Sequence, residues 1–235
     1  MASIPIYYNF RFADNSEKSF HLEIDDQKFE LVHNRPEVMP IWALLSFHQC
    51  PHCPLRPETH YYCPLAANFA NIVPHFQEFL SYEKTFLSVT TEERTISQQT
   101  TVQEAVASLM GLIMAASGCP YTAFFKPMAR FHLPLANTTE TIYRAIAMYL
   151  IAQYFLHEDG QAVDFEFNGL AKVYENIRIV NTAMAERFLV ASQKDSTVNA
   201  VVQLDIYAMT FLGSLDGPLE EIRHLFHAYL EKINS

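Results

Sequence analysis

The chain reads as an α+β fold. Three observations carry that reading: strict apolar alternation confined to the first hundred residues, helical apolar spacing through the rest, and two capping-box signatures that mark helix starts. Ile4, Ile6, Tyr8, Phe10 and Phe12 fall on one face of a strand, and Phe20, Leu22 and Ile24 alternate again after the turn-prone Asp14-Asn15-Ser16. A second turn at Asp25-Asp26-Gln27 leads to Phe29 and Leu31, so the expectation is an N-terminal antiparallel meander of three strands. Its other face, with Arg11, His21, Glu23 and Asp25, is expected to be solvated. Leu65, Phe69, Ile72, Val73, Phe76, Phe79 and Leu80 fit a helix over 65–80, bent at Pro74. Residues 85–89 and 94–100 read as a second hairpin around Glu92-Glu93, added to the first sheet.

The second half reads as helical. Thr101 and Glu104 frame a capping box ahead of Val102, Val106, Leu109, Leu112 and Ile113, and Ser117-Gly118 stops that helix just before Cys119. Asn137 and Glu140 repeat the signature ahead of a run from Ile142 to Leu156, which His157-Glu158-Asp159-Gly160 closes. Further helices are expected at about 169–192, 196–212 and 218–232. With no internal repeat or low-complexity linker, the expectation is a single domain over 1–235, strand-rich to residue 100 and a helical bundle from 101.

Half of the 235 residues are apolar, enough to bury a core without cross-links. A net charge of -10 disfavours binding to nucleic acid, which relies on Lys and Arg to neutralise phosphates. No secretory signal or bilayer-spanning run is read, so the expected compartment is the cytoplasm and no membrane partner is expected.

The segment from His48 to Pro64 concentrates the candidate chemistry. Three of the four cysteines lie in it, Cys50, Cys53 and Cys63, and the fourth is Cys119. Each is followed by proline. Prolines 51, 54, 57 and 64 remove backbone donors and fix φ, so this loop has few bonds of its own and needs something at its centre. The spacing C-x2-C-x9-C-x55-C is expected to bring the four thiols to one metal site. Zinc is favoured and a 4Fe–4S cluster is the alternative. Pro54 stands where a standard zinc knuckle prefers glycine, which weighs against that particular turn. His48, His52 and His60 flank the thiols as further candidate ligands or outer-sphere partners, and His132 reads as a core histidine bonded to backbone. The competing reading is four small thiols packed as core groups.

The expected function is therefore a metal-binding protein with a structural, adaptor or regulatory role. The alternative is a redox protein that uses an iron–sulfur cluster or a Cys50/Cys53 dithiol. No hydrolytic triad, phosphate-cradling glycine loop or nucleotide fingerprint is present, which leans against an enzyme. Arg94, Arg130 and Arg144 with Lys126 are candidates for an anion pocket near Cys119. The expected partner is another protein or a second copy of the chain.

Phe47-His-Gln-Cys-Pro, Cys63-Pro-Leu-Ala, Ser117-Gly-Cys119-Pro and Met128-Ala-Arg-Phe-His-Leu-Pro134 resemble stretches of an uncharacterised bacterial protein family of unknown function. The resemblance covers most of the chain and implies no activity, substrate or cofactor.

Overall fold

A computed structural model describes residues 2–32, 35–192, 194–212 and 216–233. Strands β1 (Ser3–Phe12), β2 (Glu17–Asp25), β3 (Lys84–Thr90) and β4 (Thr95–Thr101) form one antiparallel sheet in the order β2-β1-β3-β4. Tyr8 stands opposite Phe20 on β2 and Val89 on β3, so the alternating apolar residues share one buried face. The second hairpin thus joins the first through β1, and the α+β reading holds.

The third strand of the meander is reduced to a single bridge between Ile24 and Leu31. Asp25 accepts bonds from the backbone N–H groups of Gln27 (3.0 Å) and Lys28 (2.7 Å), which curls the chain after β2. Phe29 follows at a φ of 51°, and the N–H of Leu31 is then donated to Ala116 O at 2.8 Å. The Val32 N–H is donated back to Glu23 O at 2.8 Å, which completes that one bridge to β2, while the opposite edge of Leu31 faces the end of a helix.

The helix expected over 65–80 is two pieces, α1 (Pro64–Phe69) and a 3₁₀ turn (Val73–Phe76). Pro64 suits the first turn of α1, whereas Pro74 inside a continuous helix would lack a donor and collide with the carbonyl four residues back. Phe76 packs edge-on to Phe10 with ring centres 5.0 Å apart, and Phe79 stacks on Phe12 at 4.1 Å.

Helix α2 (Val102–Ala115) lies against β3, β4 and α1 and is buried on nearly every side, as its apolar composition requires. Its capping box is formed: Thr101 Oγ1 accepts from the Glu104 N–H at 3.3 Å, and Glu104 Oε2 accepts from the Thr101 N–H at 3.1 Å. Gly118, at a φ of 79°, turns the chain away from the helix end. A short α3 (Lys126–Arg130) follows, which the sequence reading did not anticipate. Then come α4 (Thr138–Glu158), α5 (Asn168–Ala191), α6 (Ser196–Met209), α7 (Asp216–Arg223) and α8 (His227–Ile233). The Asn137–Glu140 capping box of α4 is also formed. The helix expected over 218–232 is interrupted by a 3₁₀ turn at His224–Phe226.

The chain divides into two compact units: Met1–Leu135 with Ile179–Asp205, and Ala136–Arg178 with Ile206–Ser235. The first holds the sheet, α1–α3 and the aromatic core. Within the second, Tyr174 stacks on Phe211 at 4.0 Å. Asp164 there accepts bonds from the Tyr149 hydroxyl and the Gly169 N–H, both at 2.7 Å. Among the described residues no helix is long and apolar enough to cross a membrane.

A thiol-lined cavity as candidate functional site

The four cysteines meet at one small cavity in the first unit, which they line together with Leu45, Gln49, Tyr121, Met184 and Arg187. Local bonds place each of them. Cys50 and Cys53 share a tight turn closed by the Cys53 N–H on Cys50 O at 2.9 Å. Cys63 is the residue before α1, and its N–H is donated to Ala43 O at 2.9 Å. Cys119 follows the turn at Gly118, where its N–H reaches Ser117 Oγ at 3.2 Å. Tyr121 ties the two segments together: its ring stacks on His52 at 3.9 Å and its hydroxyl is donated to His52 O at 2.6 Å.

Arg187 of α5 holds the loop. The residue is 2% exposed, with Nη1 donating to Trp42 O (2.5 Å) and Leu44 O (2.8 Å) and Nη2 to Leu45 O (3.3 Å) and His48 O (3.4 Å). These carbonyls lie in a stretch with little regular secondary structure; Leu44 O also accepts from the Phe47 N–H at 3.2 Å, whereas Trp42 O and Leu45 O, on buried residues, are met by the guanidinium. The centre that a proline-broken loop requires is thus a cation on a helix.

Electrostatics follow from burial. Burial pushes the Cys50 thiol up to about 12, with Cys63, Cys119 and Cys53 adding to the rise and Arg187 opposing it. Cys119 is raised to about 11, again by burial, against backbone hydrogen bonds that lower it. The Arg187 pKa is drawn down by burial and supported by Cys63, Cys50 and Cys53. Both shifted thiols are therefore neutral at ordinary pH.

The metal-binding function expected from the spacing is corrected here, along with its redox alternative. Among the described residues no three of His, Cys, Asp or Glu are grouped so as to hold a metal ion, and all four cysteines are free thiols. What the sequence reading assigned to a metal, the fixing of the loop, is done by Arg187.

The flanking histidines stay out of the cavity lining. His48, at a φ of 43°, bonds Glu186 through Nδ1 at 2.8 Å, and His60 bonds Thr59 Oγ1 at 2.9 Å. His132 shares a hydrogen bond with the buried Tyr8 hydroxyl, which also meets Ser108 Oγ at 3.2 Å. That is a side-chain partner where a backbone one was expected. Of the cations expected near Cys119, Lys126 pairs at 2.8 Å with Glu30, whose carboxylate stands beside Gly118, Arg130 pairs with Glu93 at 3.6 Å, Arg94 is exposed, and Arg144 belongs to the second unit; none of them lines the cavity. Arg187 was missed, although one signal was present. It sits three residues after Met184 and seven after Val180, on the buried stripe of α5, where a charge calls for buried partners.

No curated protein and no solved structure matches the chain. The family described as Domain of unknown function (DUF6901) matches residues 6–227. That span takes in all of the sheet but the first three residues of β1, the four cysteines and Arg187, and so the chain belongs to this family.

Proposed function

We propose that the protein is an assembly module that works by pairing two copies of itself through α4. The observation that carries this reading is an apolar stripe on the exposed side of that helix. Ile142, Ala145, Ile146, Tyr149 and Gln153 are turned inward, while Tyr143, Leu150, Ile151, Tyr154 and Phe155 are between 37% and 60% exposed. Helical spacing gathers the exposed set, with Ala147 among them, along one side of the helix. Solitary exposed apolar side chains are ordinary, but a continuous stripe of them marks a contact surface.

A second copy fits the central part of the stripe because large side chains there can meet each other or a small one. In an antiparallel pair Tyr143 meets the partner's Tyr154, and the small Ala147 meets the partner's Leu150, as an isologous interface requires. At about 200 Å² for a large side chain, these exposures offer about 500 Å² per copy and about 1,000 Å² for the pair, the lower bound of a specific interface. Arg144 lies at the edge of the stripe and Glu140 and Glu158 bound its two ends, while the charge of -10 on each copy opposes pairing through the general field. Salt that screens that field strengthens the pair.

Analytical ultracentrifugation of the full chain tests the reading. The expected result is a dimer at micromolar concentration, tighter at 0.15 M salt than at 0.01 M. Ile151→Glu should give a monomer with an unchanged circular dichroism spectrum. A wild-type chain that remains monomeric to 100 µM, or that binds neutral lipid vesicles through α4 instead, overturns it.

A further inference from the structure

The two edges of the sheet are unlike. On the β2 edge the strand carries Glu17, Lys18, Glu23 and Asp25, and the bridge from Leu31 to Ile24 with the Val32 N–H on Glu23 O covers part of it. Charges and short covers of this kind keep an edge from pairing with another chain. The β4 edge has neither. Thr95–Thr101 holds no charged residue and no proline, its register with β3 is unbroken, and Thr95, Ser97 and Gln99 are exposed. The bonds that bracket the ladder decide which backbone groups are open: the Thr91 N–H is donated to Arg94 O at 2.9 Å and the Val102 N–H to Glu83 O at 2.8 Å, so residues 94 and 102 face β3. In an antiparallel ladder that direction alternates by residue, which turns Ile96, Gln98 and Thr100 toward β3 and leaves the N–H and C=O groups of Thr95, Ser97 and Gln99 pointing outward. No group among the described residues bonds to them. The open row ends at Thr101, whose N–H is taken by Glu104 Oε2.

Such a row fits an extended strand. A foreign segment would have to supply a matching uncharged strand of its own, whereas a second copy brings one by symmetry. We propose that β4 pairs antiparallel with β4 of a second copy about a two-fold axis at Ser97, joining two four-stranded sheets into one. In that register Ser97 faces the partner's Ser97 and Thr95 faces the partner's Gln99, so each outward N–H meets an outward C=O and none is left over. Ile96 lies across from the partner's Gln98, whose aliphatic stem covers it. At each end the turn with Glu93 and Arg94 is carried toward the partner's Lys84 and the partner's Glu104, so both signs of charge stand on both sides. Backbone bonds here replace bonds to water, and Ile96 is the one apolar side chain on the strand, so the pair is weak and forms at millimolar rather than micromolar concentration. It is separate from pairing through α4, since β4 belongs to the first unit and α4 to the second. Two isologous surfaces on one chain link α4 pairs into longer assemblies where the chain is concentrated.

Cross-linking of the full chain tests the register. Directly opposed residues in such a pair have Cα atoms about 5.5 Å apart, inside the range of about 4.4–6.8 Å that a disulfide spans. Ser97→Cys, oxidised with glutathione disulfide, should give a covalent dimer. Gln99→Cys, which stands opposite the partner's Thr95, should link at least about tenfold more slowly. The unsubstituted chain, with its four native thiols, sets the background. Both cysteine variants should behave the same with Ile151→Glu added, which removes α4 pairing. At about 1 mM, light scattering should find Ile151→Glu as a dimer and the unsubstituted chain as larger assemblies. Adding Ser97→Pro, which removes an outward donor and no bond to β3, should return Ile151→Glu to a monomer with an unchanged circular dichroism spectrum. If α4 pairing itself fails, the unsubstituted chain stops at the dimer while Ser97→Cys still links, so the two readings fail apart. Ile151→Glu that stays monomeric at that concentration, equal linking by the two cysteine variants, or dimers untouched by Ser97→Pro would each overturn the proposal. Linking of Ser97→Cys no faster than background would leave the edge to a foreign extended segment and overturn it as well.

Discussion

The two compact units use their aromatic side chains in opposite ways. In the first, Phe10, Phe12, Phe20, Phe76 and Phe79 contact one another in a continuous cluster between the sheet and the turn after α1. In the second, Tyr174 and Phe211 stack inside, but Tyr143, Tyr154, Phe155, Phe165, Phe226 and Tyr229 face outward. More than half of the large apolar side chains left exposed among the described residues belong to the second unit, which has under a third of the chain. The buried polar groups differ as well: the first unit builds a loop around one cation with no acidic partner, while the second makes its own knot around Asp164. The lesson is a division of labour. One unit holds a buried cation on backbone carbonyls beneath a packed aromatic core; the other holds an aspartate on a hydroxyl and backbone N–H groups and leaves more of its apolar surface unmet.

The largest effect should come from removing the unmatched charge itself. Arg187→Met strands the buried carbonyls of Trp42 and Leu45 and loosens those of Leu44 and His48, and is expected to cost about 3–5 kcal/mol in urea unfolding. In the wild type Cys50 and Cys119 stay protonated well above pH 8, so iodoacetamide at that pH should label them slowly, and the variant should speed labelling as the loop opens. A loss below about 1 kcal/mol would show that the thiols and Tyr121 hold the loop without the guanidinium.

On the other side of the comparison, Ile151→Glu should weaken pairing by about 2 kcal/mol or more while changing monomer stability by less than about 0.5 kcal/mol. If stability falls instead, α4 is a core helix and the contrast between the units is lost. The two capping boxes give a matched pair of smaller size. Thr101→Ala in the first unit and Asn137→Ala in the second should each cost about 1 kcal/mol. Unequal losses in thermal unfolding would reveal which unit melts first.

The smallest effect is in acid. Hydrogen bonds from Thr100 first, and then from Thr101, hold the Glu104 carboxyl below its usual 4.5. A lowered pKa in the folded state means that this stabilisation is complete above pH 4.5 and is lost as pH falls through the folded value. Glu104→Gln should flatten the acid limb of the stability curve by less than about 1 kcal/mol, since the group is largely solvated.

Features set by neighbouring residues were legible in the sequence. Both capping boxes were readable because each needs only four residues, and the sheet was readable because β1 alternates without interruption. The expected third meander strand is reduced to the Ile24–Leu31 bridge, and the other edge of Leu31 is taken up by Ala116, a partner that no local pattern signals. The helix over 65–80 failed because apolar spacing was allowed to outweigh Pro74. For the site, proline-cysteine repetition rightly marked a loop that needs a centre, and all four thiols do line one cavity. The identity of that centre was hidden, since the bond from Arg187 to Trp42 spans 145 positions and a lone arginine in a helix usually reads as solvated.

That span also sets an order of events during synthesis. Residues 42–63 leave the ribosome long before residue 187, and at about 5–20 residues per second the interval is about 7–30 s. Throughout it the guanidinium that gathers the carbonyls is still to come, so Cys50, Cys53 and Cys63 are presented on an open, proline-stiffened segment. Truncated chains that stop before α5 should carry rapidly modifiable thiols and be preferred substrates for proteases and chaperones. Completion of that one helix turn closes both exposures together.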